Sequence, residues 1–375
     1  MAAYLDHAAT TPLRPEAAAA MLPWLTERFG NPSGSHAVAR AARAAIDEAR
    51  DVVADALGVA PGGVIFTGGG TEADNLALAG VLARNPGVVV CSAIEHHAVL
   101  HAAAAQTGDC RIVPVDRDGV VDLDRLAEAL DPTVAVVSIM LANNEVGTVQ
   151  PLARIARLVR RRAPEAVLHT DAVQAFPWLD VAQAAQKADL ISVSAHKFGG
   201  PQGTGVLAVR GDVALSPLIH GGGQERDRRS GTHNVAAIVG MAAAMQATVA
   251  TRDETVTRIG RLRDRLADNL LAAIPQTVET GDRANKIAGN CHLCFDGIES
   301  EALLVLLDDA GVYASAGSAC ASGALEPSHV LVAMGIDEKR ALGSLRLSLG
   351  ATTTDDDVDL ALKVIPDAVA RLREP

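Results

Sequence analysis

VIFTGGGTEADNLAL, residues 64–78, joins an apolar β-rich segment to a helical pattern through a turn made of glycine. The turn spans residues 68–71, and the helical pattern begins at Glu72. Glycine lets a backbone approach an anion closely, and the free N–H groups and dipole at a helix start attract a phosphate. The stretch predicts either a phosphate cradle at the end of a strand or a plain tight strand–helix turn.

Two known phosphate motifs can be compared with this turn. It is not a Walker A loop, because no Gly-Lys-Ser/Thr follows. Gly68, Gly70 and Ala73 match the Gly-x-Gly-x-x-Ala spacing of nicotinamide dinucleotide folds, and Glu95 lies near the end of the next predicted strand. A dinucleotide-binding domain is therefore an alternative interpretation of this motif.

Around this stretch, short apolar segments alternate with amphipathic helical segments from about residue 40 to 250. The predicted strands are 64–67, 88–92, 111–115, 134–140, 167–170, 190–194 and 205–209. The predicted helices include 36–57, 72–84, 123–130 and 152–162. Strands that alternate with helices of this length indicate βαβ units, so we predict an α/β fold whose large domain holds a mainly parallel seven-stranded sheet.

The pattern changes after a long helix predicted at about 236–273. Beyond it, isolated strands are predicted between helices, at NCHLCFDG (290–297), YASAGS (313–318) and SLRLSLG (344–350). Strands and helices in this arrangement are typical of a smaller α+β domain. We place the boundary inside the long helix, near 251–258, and expect the first dozen or so residues to pack on the small domain. The predicted division is a large domain of 15–255 and a small domain of 1–14 with 256–375.

The composition limits the kinds of partner. The chain has 375 residues, of which 49% are hydrophobic and 21% charged, enough for two domains with a sizeable core. Its formal net charge is −12, and aromatic residues make up 2%. A nucleic-acid backbone or an anionic membrane needs a basic surface, and single strands need aromatic platforms. We therefore expect neither nucleic acid nor a membrane as a partner.

The N-terminal segment and the cysteines bear on the compartment. MAAYLDHAATT has neither the basic region nor the apolar core of a signal peptide, and the longest apolar runs, such as 134–142, are too short to span a bilayer. We therefore expect a cytoplasmic protein. Five scattered cysteines, an odd number, do not resemble the framework of a disulfide-rich secreted protein.

Two ionisable residues follow neighbouring predicted strands. Asp171 closes the strand in VLHTDAVQ (167–174), and Lys197 follows the next one in SVSAHKFGGP (192–201). Ligands bind outside the carboxyl ends of parallel strands, so both side chains should face the crevice beside the glycine turn. Separately, a lysine can be a surface residue and an aspartate a helix cap. Together with a phosphate cradle they fit pyridoxal 5′-phosphate, whose Schiff base needs a lysine and whose pyridine nitrogen needs a carboxylate.

Further polar residues also follow strands. His96 could stack on a cofactor ring or move a proton, or it could be structural. Asn143 and Asn144 offer amide donors. The loop GGGQERDRRSGTHN (221–234) could bind an anion through backbone N–H and guanidinium groups, or could simply be solvated. Arg346 lies on an otherwise apolar strand and needs a carboxylate partner, which is either a substrate carboxylate or a structural Asp or Glu.

The cysteines differ in their surroundings. CHLC (291–294) has the Cys-x-x-Cys spacing of some metal sites. On a strand, however, residues three apart point to opposite faces, and no second pair completes a tetrahedral site. We therefore predict no metal site here. Cys91 and Cys110 lie in or beside apolar strands and should be small core residues. Cys320 lies in SAGSACASGALEPS (315–328), where small residues surround it. This setting favours a free, accessible thiol in a weakly packed, mobile loop.

These motifs resemble the pyridoxal-phosphate cysteine desulfurases within the class V aminotransferase group. The likeness runs from YLDHAATTP (4–12) to SLRLSLG, and the motifs between them follow the family's order: GGTEADN, EHHAVL, NNEVGT, TDAVQ, SVSAHKFGGP, RSGTHNV and SAGSACASG. The last motif resembles the branch with the longer cysteine loop, which serves nitrogen fixation and general iron–sulfur assembly. The family more often has alanine at Gly70, and often Ser and Thr at Ala316 and Ala321.

The resemblance implies a homodimeric pyridoxal-phosphate transferase of fold type I and assigns roles to individual residues. The residues that would hold the cofactor ring are Lys197 through the Schiff base, Asp171 on the pyridinium nitrogen, Gln174 on the ring hydroxyl and His96 over the ring. Those that would hold the phosphate are Gly70, Thr71, Ser194 and His196, with Thr232 from the other subunit. Those that would bind the substrate carboxylate are Asn144 and Arg346. The residues that would act in catalysis are Lys197, His96 and the nucleophile Cys320.

The activity that the resemblance implies converts L-cysteine to L-alanine. Lys197 would move the Cα proton, and Cys320 as thiolate would take the substrate sulfur as a persulfide for an acceptor such as an iron–sulfur scaffold or a tRNA-thiolation protein. Thiols have an ordinary pKa of about 8.5, so His96 or the substrate amine would assist ionisation. The alternatives are another class V enzyme, such as a selenocysteine lyase or an aminotransferase, and a non-catalytic sulfur carrier.

Overall fold

The computed structural model describes residues 2–106, 109–317 and 327–374. The strands in these residues are β1 (Ala3–Tyr4), β2 (Val64–Thr67), β3 (Val88–Ser92), β4 (Cys110–Val113), β5 (Val134–Ser138), β6 (Val167–Asp171), β7 (Leu190–Ser194), β8 (Gly205–Val209), β9 (Thr277–Glu279), β10 (Asn290–Phe295), β11 (Val312–Tyr313) and β12 (Ser344–Ser348). The helices are α1 (Pro15–Thr26), α2 (Ala37–Leu57), α3 (Gly70–Leu82), α4 (His97–Ala104), α5 (Leu123–Ala129), α6 (Leu152–Arg162), α7 (Val181–Ala184), α8 (Val235–Ala273), α9 (Ser300–Asp309), α10 (His329–Ala333), α11 (Glu338–Ala341) and α12 (Asp355–Arg373). All seven strands predicted for the larger domain are present.

Two of these strands end earlier than predicted. β4 ends at Val113 because Pro114 has no N–H to donate to a strand partner. β5 ends at Ser138, and the backbone N–H of Met140 donates to the Glu95 carboxylate at 2.9 Å instead of to a neighbouring strand. The predicted ends at 115 and 140 are therefore wrong by two residues each.

The large sheet has seven strands in the order β2-β8-β7-β6-β5-β3-β4. The pairs from β7 through β6, β5 and β3 to β4 are parallel, whereas β8 runs antiparallel to both of its neighbours. The prediction of a mainly parallel sheet in an α/β fold is confirmed. The parallel strands end at one edge of the sheet, and Thr67, Ser92, Asp171 and Ser194 are the last residues of four strands that point there.

Side chains of the strands alternate between two apolar layers. In β2, Val64 and Phe66 join the layer that contains α2, α6 and α8, whereas Ile65 joins the layer that contains α3 and α4. A strand's side chains point alternately to opposite faces, so a sheet covered by helices on both faces needs continuous apolar segments. VIF and the valine run of β3 meet this need.

The chain beyond α8 builds a second apolar cluster. β10 pairs antiparallel with β9 and β12, and β1 pairs parallel with β11. The segments predicted as isolated strands therefore pair with neighbours, and of the described part of YASAGS, residues 313–317, only Tyr313 lies in a strand. The residues of this cluster include Leu5, Leu262, Phe295, Leu347 and Val358. This membership supports the predicted division into 15–255 and 1–14 with 256–375, which stays a prediction.

Helix α8 connects the two clusters. Met241 and Met245 of α8 belong to the large-sheet core, and Leu262 and Leu266 belong to the second cluster. By length and composition α8 is apolar enough to cross a membrane, with a mean hydropathy of 1.3 over its most apolar window. Because 61% of that window is buried inside the protein, α8 has the burial of a core helix.

The turn before α3 depends on two glycines. Gly69 has φ of +148°, which residues with a side chain rarely adopt. A Cβ on Gly205 would lie 2.6 Å from the carbonyl carbon of Gly69 and 2.8 Å from the Val193 carbonyl oxygen. Only glycine at position 205 lets the turn lie directly against β8, and this contact fixes the start of α3 beside the edge where the strands end.

The arginine-rich loop at 221–234 is organised around a buried carboxylate. Glu225 accepts hydrogen bonds from Arg50 at 2.7 and 2.9 Å, lies 2.7 Å from the His233 Nε2 atom and accepts the Phe66 N–H at 3.0 Å. Burial alone would raise the Glu225 pKa, but the bonds from Arg50 and His233 hold it at about 2. Arg229 pairs with Glu72 at 2.8 Å. Much of the hydrogen-bonding capacity expected to bind an anion is therefore used within the protein.

We predict that Glu225→Gln lowers the free energy of unfolding by about 3 kcal/mol, because it leaves the Arg50 guanidinium without its buried partner. The carboxylate's contribution is complete above the ordinary Glu pKa of about 4.3 and is lost as the pH falls through about 2. The stability difference between wild type and variant, measured by urea denaturation, should therefore shrink between these pH values. Glu128→Gln, which loses an exposed pair with Arg125, is the control and should leave the stability close to that of the wild type. A stability loss in Glu225→Gln no larger than that in the control would contradict the prediction.

Candidate active site

A crevice of about 510 Å³ lies at the carboxyl edge of the large sheet. Ten of the predicted site residues line it: Gly70, Thr71, His96, Asn144, Asp171, Gln174, Ser194, His196, Lys197 and Arg346. They come from six separated segments of the chain. Five of these lie at or after the carboxyl ends of strands in the large sheet, and Arg346 comes from β12. Thr232 is exposed and lies outside this lining, and Cys320 lies outside the described residues.

Lys197 follows β7, and its ammonium group is held by backbone oxygens. The Nζ atom donates to the carbonyl oxygens of Ala8 at 2.6 Å and Ala9 at 2.8 Å. Burial, together with the nearby Arg346 charge, lowers the pKa of Lys197 to about 8, although Asp171 acts in the opposite direction. A lysine with such a pKa has a substantial fraction of neutral, nucleophilic amine near neutral pH.

Asp171 lies in the crevice above a second buried carboxyl group that the sequence argument did not single out. Burial raises the pKa of Asp171 to about 6, opposed by the Val173 N–H and the Lys197 charge. Burial and the charge of Asp171 raise the pKa of Asp74 well above its usual range. Two carboxyl groups so close in a dry site do not both ionise easily. The Lys197 charge opposes the shift of Asp171, so Asp171 ionises more readily than Asp74.

His96 caps α4 and is neutral. Its Nδ1 atom accepts the backbone N–H of Ala98 at 3.1 Å. Burial, followed by the Lys197 charge, lowers the pKa of His96 to about 4. Since Nδ1 accepts a hydrogen bond, the proton of the neutral ring is on Nε2. The ring can therefore donate from Nε2, but it cannot accept a second proton without giving up the cap.

The start of α3 forms a concave donor surface. Among the described residues no side chain caps the helix at Gly69, so its first N–H groups have no such partner there. Thr71, Ser194 and His196 line the same space. Burial and the Lys197 charge lower the pKa of His196 to about 4, and its Nδ1 atom lies 3.2 Å from the Thr10 hydroxyl. This donor set is suited to a phosphate group.

The two asparagines of NNEVGT have different roles in the structure. Asn143 is fully buried: its amide donates to the Ile94 carbonyl at 2.9 Å, and its Oδ1 atom accepts the N–H groups of Glu145 and Val146. It therefore fixes the turn. Asn144 lines the crevice instead, and its backbone oxygen accepts a bond from Arg346 at 3.1 Å.

Arg346 pairs with Asp6, 2.7 Å from its guanidinium, so it has a structural carboxylate partner. Its Nε atom is nevertheless buried without a hydrogen-bond partner among the described residues. Asp6 belongs to YLDHAATTP, where nothing in the local pattern pointed to Arg346. The ion pair leaves one donor of Arg346 unused, and the crevice is where that side chain lies.

Glu145 was also missed, and it contacts the chain on both sides of residues 318–326. Its carboxylate accepts a hydrogen bond from Ser328 at 2.5 Å, and Ser328 caps α10. A Cβ on Gly317 would lie 3.2 Å from the same carboxylate. Burial raises the Glu145 pKa, with Ser328 and Arg346 acting against the shift. One buried carboxyl group therefore bonds to Ser328 and lies close to Gly317, which lines the crevice.

Comparison with known proteins identifies the family. The model described as Aminotransferase class-V matches residues 3–361. The IscS-like cysteine desulfurase of Mycobacterium tuberculosis is 47% identical over 99% of this chain and 97% of its own, and the cysteine desulfurase IscS of Methanosarcina thermophila is 44% identical over 99% and 93%. The chain belongs to the class-V aminotransferase family. Within that family, the predicted membership in the cysteine desulfurases is confirmed by these relatives.

The fold of this class-V chain also has a close counterpart among solved structures. A structure described as a NifS-like protein superimposes with a TM-score of 0.93 and 35% identity, covering 99% of this chain and 100% of the other. The predicted pyridoxal-phosphate transferase fold of type I is confirmed at the level of architecture. The nicotinamide dehydrogenase alternative, based on the glycine turn, is thereby excluded.

We predict that the amine of Lys197 titrates near pH 8 in the protein without added cofactor. Acetylation with acetic anhydride, followed by mass spectrometry of the peptides, measures the pH at which Lys197 labelling is half-maximal. The midpoint, not the rate, is compared, because burial slows labelling at every pH. Exposed Lys363 is the internal reference. A midpoint for Lys197 near the ordinary lysine value of about 10.4 would show that burial does not tune this amine.

Proposed function

We propose that this cysteine desulfurase converts L-cysteine to L-alanine and passes the sulfur, through a persulfide on Cys320, to an acceptor protein for iron–sulfur cluster assembly or thiolation. The observation that carries the proposal is the partly buried Lys197, with its lowered pKa, in the same crevice as Asp171 and a phosphate-type donor surface. The names of the relatives support the choice of substrate.

Pyridoxal 5′-phosphate is the cofactor that we propose for the crevice. The donor set fits its functional groups: Lys197 offers an amine, Asp171 a carboxylate for the pyridine nitrogen, and the uncapped start of α3 with Thr71 a phosphate site. Ser194 and His196 would add phosphate donors, Gln174 would bond the ring hydroxyl, and Thr232 would come from the second subunit of a homodimer. When bound, the cofactor supplies an electron sink for negative charge at the substrate Cα.

Lys197 and Asp171 divide the acid–base work. The neutral amine of Lys197 is available near neutral pH and would take the Cα proton of the substrate. Burial and the charge of Asp171 raise the pKa of Asp74, so Asp171 is the member of the pair that more readily ionises. A charged Asp171 is what a protonated pyridine nitrogen needs, so the buried carboxyl pair supports this assignment.

His96 would act as a hydrogen-bond donor. Its Nδ1 atom is engaged by Ala98, so Nε2–H is the group that can face a ligand. His96 can therefore act as a hydrogen-bond donor and a general acid. The substrate amine is the better candidate for the general base that deprotonates the thiol. For the substrate carboxylate, Arg346 has an unpaired Nε atom and Asn144 has its side chain in the crevice.

The transfer of sulfur to Cys320 balances in atoms and electrons, and it needs no added oxidant. The Cys320 thiolate attacks the substrate sulfur, a new S–S bond forms, and the substrate C–S bond breaks. The electron pair of the broken bond stays on the substrate carbon, which is then protonated and leaves as alanine. The net charge of −12 favours an acceptor protein that docks through basic residues.

The assignment of the nucleophile is tested with Cys320→Ser. We expect the variant to lose more than 99% of alanine release from L-cysteine under multiple turnover, because no thiolate takes the sulfur. Cys110→Ser is the matched control: Cys110 is partly exposed, and the Cys91 contact lowers its pKa to about 7, but it lies at the amino end of its strand, away from the crevice. A Cys320→Ser protein with full activity would favour an aminotransferase and refute the persulfide.

The cofactor assignment is tested with Lys197→Ala. The purified wild-type protein reconstituted with pyridoxal 5′-phosphate should show the visible absorbance of a Schiff base, and the variant should lose it. Lys339→Ala, at an exposed position, should retain it. Equal absorbance in Lys197→Ala would mean that another amine holds the cofactor, and absence of the band in the wild type would favour a non-catalytic sulfur carrier.

A further inference from the structure

A second cavity, of about 250 Å³, lies behind Lys197, on the side of the lysine away from the crevice. Ala8, Gln174 and Lys197 line both spaces and form the wall between them. Its other walls come from the segment before α1, one face of α8 and the chain after β12. The cavity therefore lies where the large-sheet core and the second cluster meet, and no step of the proposed reaction uses it.

Most of the cavity wall is apolar. Pro177, Trp178, Phe198, Ile287 and Leu349 contribute to it. An apolar cavity of roughly 150 Å³ is enough to hold benzene, so the space behind Lys197 suits a ring with a short substituent. Size and lining together favour a small, mainly apolar molecule.

Two guanidinium groups in the cavity wall have no carboxylate partner. Arg252 is only 9% exposed, its Nε atom has no hydrogen-bond partner, and neither Arg252 nor Arg14 forms an ion pair within the described residues. Arg252 makes a weak bond to the Phe176 carbonyl at 3.4 Å and lies over the face of the Phe176 ring, and the carboxylates whose charges act on it, Asp180 and Asp253, form no ion pair with it. Arg14 donates from Nε to the Phe198 carbonyl at 3.1 Å. Glu16 also lines the cavity but is exposed and does not pair with Arg14.

A buried cation without a partner costs free energy, and an arginine in a protein core is ordinarily paired. Thr248, Arg252 and Thr255 are spaced by four and three residues along α8, so they lie on one face of the helix. Asn290, 1% exposed, adds an Oδ1 atom without a hydrogen-bond partner to the same lining. Charged and polar atoms left unpaired in an apolar space are what a site for an amphipathic anion provides.

We propose that this cavity binds small apolar carboxylic acids, with the carboxylate held by the guanidinium groups of Arg252 and Arg14 and the apolar part packed against Trp178 and Phe198. The site is distinct from the crevice for L-cysteine. A ligand in the cavity lies against Ala8, whose carbonyl oxygen accepts a hydrogen bond from Lys197. Ala8 is therefore the residue through which a bound ligand can affect the Lys197 amine.

Phenylacetate is the probe, and phenylacetamide is its neutral counterpart. In the holoenzyme, isothermal titration up to roughly 10 mM should show saturable binding of the acid, and binding should change Trp178 fluorescence. The signal should be lost in Trp178→Phe, whereas Trp24 should give a constant background. The amide should bind at least about tenfold more weakly, because it cannot form a charge-assisted pair with arginine.

Variants locate the site. Arg252→Met keeps the length of the side chain and should weaken phenylacetate binding by about tenfold or more, and Thr255→Phe should abolish it by filling the cavity. Arg261→Met, on the exposed side of α8, is the matched control and should bind as the wild type does. Circular dichroism confirms that each variant is folded. Wild-type affinity in Arg252→Met, equal affinity for acid and amide, or no binding of phenylacetate at all would overturn the proposal, the last meaning that the cavity holds water only.

Discussion

The site depends on how one partly buried ammonium group is stabilised. The immediate partners of Lys197 are two backbone oxygens from the N-terminal segment, not a carboxylate. Carbonyl dipoles stabilise the charge only partly, and the Arg346 charge opposes it, so the amine is easily deprotonated. A directly paired carboxylate would have raised the pKa instead. Lys197 thus stays reactive because its hydrogen bonds go to the carbonyl oxygens of Ala8 and Ala9. Asp171 is left available for another partner.

The charge on the carboxyl groups below Lys197 also depends on the partners that surround them. Asp74 lies 3.6 Å from His169, but burial lowers the pKa of His169 to about 3, so that ring stays neutral and cannot balance a negative charge. Its nitrogens are instead close to the hydroxyls of Ser138 and Ser192, at 2.8 and 2.9 Å. Burial and the Asp171 charge therefore raise the pKa of Asp74, which favours its protonated form, and of this pair Asp171 is the carboxyl group that more readily carries a charge beside Lys197.

The sequence predicted most of the sheet and ten of the residues that line the crevice. For the residues that follow the strands, the physical reason is a common one. Continuous apolar segments bounded by polar or glycine residues identify buried strands, and the residue after each parallel strand necessarily lies at the ligand edge. Arg346 with Asp6, and Glu145 with Ser328, could not be paired in this way, because 340 and 183 residues separate the partners. Such contacts depend on how the second cluster packs on the first, which no local pattern records. The same applies to the cavity behind Lys197, whose walls come from both parts.

Helix α8 connects the crevice, the cavity and the two apolar clusters. It belongs to both apolar clusters, lines the cavity with Thr248, Arg252 and Thr255, and donates from Arg258 to the Thr353 carbonyl after β12. Arg346 lies on β12, so the strand that carries a candidate substrate ligand is tied to the helix that carries the unpaired Arg252. The two clusters cannot shift against each other without changing both the crevice and the cavity. A molecule bound at their junction would therefore bias the position of Arg346 as well as the contacts of Lys197, which makes this junction the place where binding outside the crevice can affect the chemistry within it.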